Sequence, residues 1–535
     1  MTPKIDGDYD YIIIGAGTAG CVLANRLTAD PRNRVLLLEA GDKDTHPWIH
    51  IPVGYLYCMG NPRSDWMLAT TPEDGLNGRS LAYPRGKVLG GCSSINGMIS
   101  MRGQAADYDG WAALGNTGWS WEDVLPHFLR SEDRPGGDGP LHREGGEWKV
   151  ARQRLKWTLL DDFQKAAQEM GIPRSTDFNS GDNEGVGYFE VNQKNGRRWS
   201  AARAFLKPAL KRPNLRVLTG AEVSRILIED GRAAGVIFTR ANRMSEARTR
   251  GEVLLAAGAI HSPVLLERSG IGQGARLKAA GIDVVQQMEE VGENLQDHLQ
   301  LRMVFRVENA LTLNQIANSL TGKIAMAAEY LWSRSGPLSM APSQLGIFTR
   351  SGPEQATPDL EYHIQPLSTD RLGEPLHRHP AVTVSVCNLR PESRGTVHLA
   401  RNTKDISPEI SPCYLTTPGD REIALRSLRH ARTLMTMPSL RKYTPQEALP
   451  GEEIVSDADL IRAAGDIGTT IFHPVGTCRM GVDEQAVVDP QLRLRGLRGL
   501  RVVDASIMPR IVSGNTATPV VMIAEKAADM ILRCA

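Results

Sequence analysis

An unbroken apolar run near the N-terminus, Tyr11-Ile12-Ile13-Ile14, passes directly into Gly15-Ala16-Gly17-Thr18-Ala19-Gly20, and no other feature narrows the fold so far. A run without polar alternation suits a strand buried on both faces of a parallel sheet. A helical stretch at 21–27 follows, then a second apolar run at 35–38 that ends at Glu39 and Ala40, the acid lying 19 residues after Gly20. Each glycine has a physical task in this order. Gly15 permits a tight turn, Gly17 lets backbone N–H groups approach a pyrophosphate, and Gly20 lets helix and strand pack closely. Glu39 can accept a hydrogen bond from a ribose hydroxyl. Gly15, Gly17, Thr18, Ala19, Gly20, Glu39 and Ala40 are therefore the residues expected at a dinucleotide.

At 535 residues the chain exceeds one ordinary domain of about 150 residues. Hydrophobic residues at 41% and charged residues at 23% describe a folded, soluble protein. A formal net charge of +1 provides no field to gather nucleic acid, which is not expected as a partner. The seven cysteines are scattered and form no C-x-x-C pair, which argues against a disulfide framework and a zinc site, so no metal is expected. Reduced thiols fit a cytoplasmic setting. Residues 1–10 show no basic segment leading into an apolar one, and no run reaches the roughly 18 apolar residues that span a bilayer. Any membrane contact would be peripheral. Its basis would be Arg493, Arg495, Arg498 and Arg501, a run that also reads as the solvated side of a strand pair. No segment points to an oligomeric state.

Residues 134–147, with five glycines and two prolines, read as a loop near a boundary. Helices are expected at 163–170 and 201–211, and strands at 216–218 and 253–255 return to the first sheet. From about 304 to 455 alternating stretches such as 381–386 and 396–399 predict an antiparallel sheet with helices laid on it. The apolar runs 500–503 and 520–524 return to the first domain. The fold class is α/β, with α+β character in the second domain. A Rossmann-like domain takes residues 1–152, 196–305 and 466–535, and an antiparallel-sheet substrate domain takes 153–195 and 306–465.

Five further stretches carry a family resemblance: 84–98 (PRGKVLGGCSSINGM), 258–272 (GAIHSPVLLERSGIG), 291–298 (VGENLQDH), 473–477 (HPVGT) and 514–516 (GNT). With the first segment they resemble the glucose-methanol-choline (GMC) oxidoreductases, flavoproteins that bind FAD, across almost the whole chain. The branch most resembled is that of choline dehydrogenase-like alcohol dehydrogenases. On the residues alone, Gly86, Gly90 and Gly91 let backbone approach a planar ring, and Asn96 offers donors and an acceptor at its edge. The resemblance implies that Val88, Gly91, Asn96, Gly97, Met98 and Ile99 line the flavin and that the Val223 backbone meets the adenine. It also puts Phe472 and Thr516 at the cofactor and Asp504 with Ala505 near its phosphate or ribitol, although Asp504 equally reads as a helix cap. Some members link FAD covalently through a histidine after the Ser-Ser pair. Here that place is Ile95, which cannot attack the flavin, so a dissociable cofactor is expected.

Removing hydride from an alcohol requires the hydroxyl proton to leave too, and histidine is the natural base near neutral pH. The resemblance singles out His473. It gives His298 no base role, and Asp297 beside it favours a structural one. His261 gains nothing. Asn515 matches the second catalytic position, where an amide can steady charge on the substrate oxygen. The helix expected after Thr516 would aim its positive end at the flavin.

The expected function is FAD-dependent oxidation of neutral primary alcohols to aldehydes, with hydride going to flavin N5 and electrons to a quinone or another acceptor. Small or oligomeric alcohols are the expected substrates. An oxidase that releases hydrogen peroxide and a flavin-binding protein without alcohol chemistry remain open rivals. An NAD-linked enzyme has no use for the 84–98 segment. In 342–348 (PSQLGIF) several relatives carry a glutamate near Gln344, where choline-type enzymes hold a trimethylammonium head. No acid lies between Arg334 and Arg350, so choline is disfavoured. Leu338, Met340, Leu345, Ile347 and Phe348 are candidates for apolar substrate surface, about half of them core.

Overall fold

The computed structural model describes residues 4–137, 139–370, 374–400 and 408–534. The N-terminal apolar run is the end of the strand Lys4–Ile14, which pairs in parallel with Val35–Leu38 on one side and Arg243–Leu255 on the other. Leu215–Leu218 and Leu500–Val502 extend this parallel sheet, while Ala221–Glu229 and Arg232–Arg240 add an antiparallel edge. Ile12, Ile13, Leu36, Leu37, Val253 and Leu254 are wholly buried, which explains their lack of polar alternation. The helices Thr18–Leu27 and Ala517–Cys534 pack together over this sheet. Thus 520–524 is a helix that belongs to the first layer, its apolar run being one turn of the buried face of an 18-residue helix.

The second sheet runs in the order Gln446–Leu449, Leu299–Arg306, Ala381–Asn388, Leu360–Gln365, Leu345–Thr349, Gly185–Tyr188, with Gly468–Thr470 also on Leu299–Arg306. Every pairing is antiparallel. One face carries Leu301, Met303, Tyr362, Ile364, Val382 and Val384 into a core shared with the helices Thr158–Glu169, Pro418–Met435 and Asp457–Ile467. The other face carries Gln300, Arg302, His363 and Gln365 to a cavity. Residues 299–305 and 466–470, expected with the first domain, therefore hydrogen-bond into the second sheet. Thr396–Leu399 was expected in this sheet but, among the described residues, forms a separate ribbon with Pro408–Ser411. The helix expected at 201–211 is a π-helical turn, Ala202–Leu206, running into Lys207–Ala209.

The arginine run does not form a free basic face. Arg501 is buried and paired with Glu252, Arg493 pairs with Asp489, and Arg495 and Arg498 donate to the carbonyls of Gly481 and Asp230. Arg493 and Arg501 do face each other across a short bridge, as the strand-pair reading expects. Among the described residues no helix is long and apolar enough to cross a membrane. Cys21, Cys58, Cys92, Cys387, Cys413 and Cys478 are free thiols.

Candidate active site

A cavity of about 1520 Å³ opens between the two sheets. That exceeds the roughly 300–1,000 Å³ typical of small-ligand pockets and has room for a dinucleotide with a substrate beside it. Gly15, Gly17, Thr18, Ala19, Glu39, Ala40, Gly91, Asn96, Gly97, Met98, Ile99, Val223, Phe472, His473, Asp504, Ala505, Asn515 and Thr516 all line it. Of the expected site residues only Gly20 and Val88 do not. A Cβ on Gly20 would lie 1.9 Å from the Gly15 carbonyl oxygen, so this glycine serves helix–strand packing. Val88 packs its side chain into a small core with Ile49, Cys58 and Ile95.

The residues present suit a dinucleotide. The helix Thr18–Leu27 starts at Gly17 with no side-chain cap, which leaves its first N–H groups free for a phosphate. Glu39 accepts from the Ala16 and Gly41 N–H groups, both at 2.8 Å, and burial raises its pKa to about 7. Asp504 fulfils the capping alternative. It accepts from Gly258 N–H at 2.8 Å, Ser262 hydroxyl at 2.6 Å and Ser506 N–H at 2.8 Å while facing the cavity. Asn96 Oδ1 accepts from Met98 N–H and from buried Arg198, a residue sequence reasoning missed.

At the other end of the cavity two rings meet. His473 Nδ1 lies 3.2 Å from His298 Nδ1, His298 Nε2 lies 3.1 Å from the Leu389 carbonyl oxygen, and His473 Nε2 lies 3.1 Å from Asn515 Nδ2. The tautomers follow from this chain. A carbonyl only accepts, so His298 carries its proton on Nε2 and accepts at Nδ1. His473 must then donate from Nδ1, which leaves the lone pair on Nε2, beside the Asn515 amide. His298 is thus an orienting partner of His473, in keeping with the supporting place rather than base role that the sequence favoured, although the sequence did not say which residue it supports. Beneath both lies Asp297, whose Oδ1 accepts from the His298 and His473 N–H groups while Oδ2 accepts from the hydroxyls of Tyr83, Tyr414 and Thr470. His261 lies elsewhere on the wall, tilted against Trp66, and burial pushes its pKa down to about 4.

The substrate segment needs a correction. Gln344 is fully buried, donates to the Ala341 carbonyl at 2.6 Å and does not line the cavity, although Pro342 and Ser343 do. Met340, Leu345, Ile347 and Phe348 are core residues and Leu338 packs on that core, so none supplies substrate surface. The second sheet instead presents Gln300, Arg302, Val304, His363 and Gln365, whose even spacing along two strands is the signal that could have found them. Glu361, His363 and Cys387 also converge there, with ligand atoms within 4.8 Å of one another, a grouping made by strand register that a search of cysteine spacing does not detect.

GMC oxidoreductase family models match residues 9–300 and 391–524. The chain is a GMC oxidoreductase. It is 41% identical over 528 residues to an alcohol dehydrogenase [acceptor] of Pseudomonas putida, covering 98% of this chain and 96% of that one. It is 39% identical to human mitochondrial choline dehydrogenase, over 98% and 90% of the two chains. The crystal structure of pyridoxine 4-oxidase from Mesorbium loti superposes with a TM-score of 0.88 at 32% identity, over 97% and 98% of the chains. This GMC oxidoreductase is an FAD-dependent enzyme acting on CH–OH groups, and the glycine turn, Glu39, Asn96 and the start of helix Ala517–Cys534 line a cavity with room for that cofactor.

Two outcomes follow. Ile95 lines the cavity where a linking histidine would stand, so acid precipitation should release essentially all the FAD; flavin retained in the washed pellet would contradict this. Burial holds His473 well below the ordinary 6.5, with the charges of His298, His363 and Arg85 acting the same way. Only neutral imidazole accepts a proton, and a depressed pKa keeps it neutral as pH falls through 6.5. The anaerobic rate of flavin reduction by an alcohol should therefore stay level from pH 9 down past 6.5 and fall only at more acid pH. The sequence alone placed that break in the ordinary histidine range, and a break at or above 6.5 would restore it.

Proposed function

We propose that this enzyme oxidises primary alcohols to aldehydes, with His473 as the base and Asn515 as the donor to the substrate oxygen. The observation that carries the reading is the convergence of the His473 Nε2 lone pair and the Asn515 amide on one point of the cavity wall, 3.1 Å apart. A hydroxyl placed there gives its proton to His473 while Asn515 donates to the oxygen as it gains charge. His298 accepts from His473 Nδ1 throughout and so fixes the ring as its Nε2 becomes protonated. When bound, FAD supplies the hydride acceptor at N5, and electrons pass on to a quinone or another acceptor. The dehydrogenase reading draws support from the acceptor-linked Pseudomonas putida relative.

A peripheral membrane contact draws support from the helix Leu320–Ser333, which exposes Leu320, Ile324, Leu331 and Trp332, the last 94% exposed. It draws none from the arginine run.

Replacing His473 with Ala should slow flavin reduction by about 10²-fold or more while FAD stays bound, since positioned acid–base catalysis contributes about 10² to 10⁴. A rate lost only through lost FAD would make the residue structural. Choline should be a poor substrate. The reason is no longer Gln344 but Arg302, whose positive charge faces the same cavity and repels a quaternary ammonium. Steady-state assays with an artificial acceptor check this, and choline outperforming hexanol and benzyl alcohol would overturn it.

A further inference from the structure

Arg302 is the charged residue that the second sheet turns toward the cavity, and among the described residues it stands without a counter-ion. Its strand, Leu299–Arg306, sends Leu301 and Met303 into the core and Gln300 and Arg302 to the cavity. Among the described residues no hydrogen bond or ion pair ends on its guanidinium. Among the described residues, the acids on this side of the wall are engaged elsewhere, Asp370 with His377 and Asp466 with Asn77. The ionisable group facing Arg302 is the phenol of Tyr55, which burial holds above its ordinary 10 and therefore neutral, a hydroxyl that can donate. Nearby Arg198 differs in part, because its Nε and Nη1 donate to the Ile49 and Ser93 carbonyls and to Asn96, while its Nη2 has no partner among the described residues.

A half-buried guanidinium with no acid beside it is unfavourable unless something anionic meets it, and its planar fork matches a carboxylate. The cofactor's phosphates do not fill that role, since their cradle is the Gly15–Thr18 turn of the other sheet. We propose that Arg302, with Tyr55 beside it, is an anion subsite, and that the enzyme's preferred substrates are primary alcohols carrying a carboxylate at the end remote from the hydroxyl. This rests on the alcohol-oxidation reading and sharpens its substrate class, replacing the uncharged alcohols expected from sequence. Geometry sets the spacing. Arg302 lies four residues along extended chain from His298, about 13 Å of backbone, and His298 touches His473. The two ends of the substrate are therefore several bonds apart, as in 6-hydroxyhexanoate or 4-(hydroxymethyl)benzoate.

Two measurements on the FAD-bound enzyme test this. In the first, kcat/KM for 4-(hydroxymethyl)benzoate is compared with that for its methyl ester, which keeps the alcohol and loses the charge. The acid should be favoured by at least about tenfold, and Arg302→Gln should lower the acid-to-ester ratio by about 10²-fold. Arg302→Lys, which keeps the charge without the fork, should give an intermediate ratio and serves as the reading should Arg302→Gln fail to retain FAD. An ester equal to the acid in the wild type, or a ratio unchanged in the variants, would overturn the proposal. In the second, 4-methylbenzoate, which has no hydroxyl, is titrated against the flavin absorbance. Its binding should weaken at least tenfold in Arg302→Gln or, short of that, measurably in Arg302→Lys, and equal binding in wild type and variants counts against the subsite. Should this binding respond to Arg302 while no alcohol reduces the flavin, the anion subsite stands and the alcohol-oxidation reading fails.

Discussion

The carboxylate of Asp297 is the point on which the catalytic end of the molecule hangs. It is buried and accepts five hydrogen bonds, from two backbone N–H groups and three hydroxyls. These come from three separated parts of the chain besides its own: Tyr83 near the second glycine segment, Tyr414 after the small ribbon, and Thr470 with His473 on the C-terminal return. A buried charge is tolerable only when its lone pairs are satisfied, and here each oxygen has its own set of donors. The same bonds that make the charge tolerable fix the backbone of both histidines. Catalytic geometry and local stability are consequently one network, and no donor can leave it without loosening the others.

With His473 as the proposed base, basicity is traded for readiness in this arrangement. Burial and neighbouring positive charge lower the His473 pKa, so the base is neutral and able to accept at physiological pH, but it binds the proton less tightly once it has it. In the same proposal Asn515 compensates in part, since an amide that donates to the substrate oxygen stabilises charge where it develops and does not itself titrate. Removing the hydride finishes the work, because an alkoxide that loses hydride becomes a neutral carbonyl. The base therefore needs only to hold the proton during that passage, and His298 supplies the fixed acceptor that keeps the ring from turning meanwhile.

Local chemistry was legible in the sequence wherever one segment suffices to make a feature. The glycine turn with its acid, the Asn96 stretch and the His473 and Asn515 segments each act through residues adjacent in the chain, and all reach the cavity. What stayed hidden depends on pairing between distant strands. His298 meets His473 because Gln296 bridges Val475 and Leu299 pairs with Thr470, a register that no local pattern states. Gln344 failed as a cavity residue for the complementary reason. Its neighbours reach the wall, and a side chain one position along points elsewhere. Asp504 was ambiguous in sequence between cap and cofactor neighbour, and the structure gives it both positions because the helix it caps begins at the cavity.

One strand joins these two kinds of information. Leu299–Arg306 starts directly after Asp297 and His298, and its alternate residues divide between the core and the cavity. A period of two means that the residues facing the cavity occupy a face fixed by Leu301, Met303 and Phe305, whose burial a one-residue slip would abolish. Arg302 therefore holds a defined distance from His298 and His473 without contributing to the network that sets them, whereas Gln300 touches it by donating to the Thr470 carbonyl. The side chain at 302 can change in charge and size while Asp297 and the two histidines stay put. A fold that separates the two tasks along one rigid strand can serve many alcohols with one chemistry, and the proposed anion subsite puts the selectivity of this chain at residue 302.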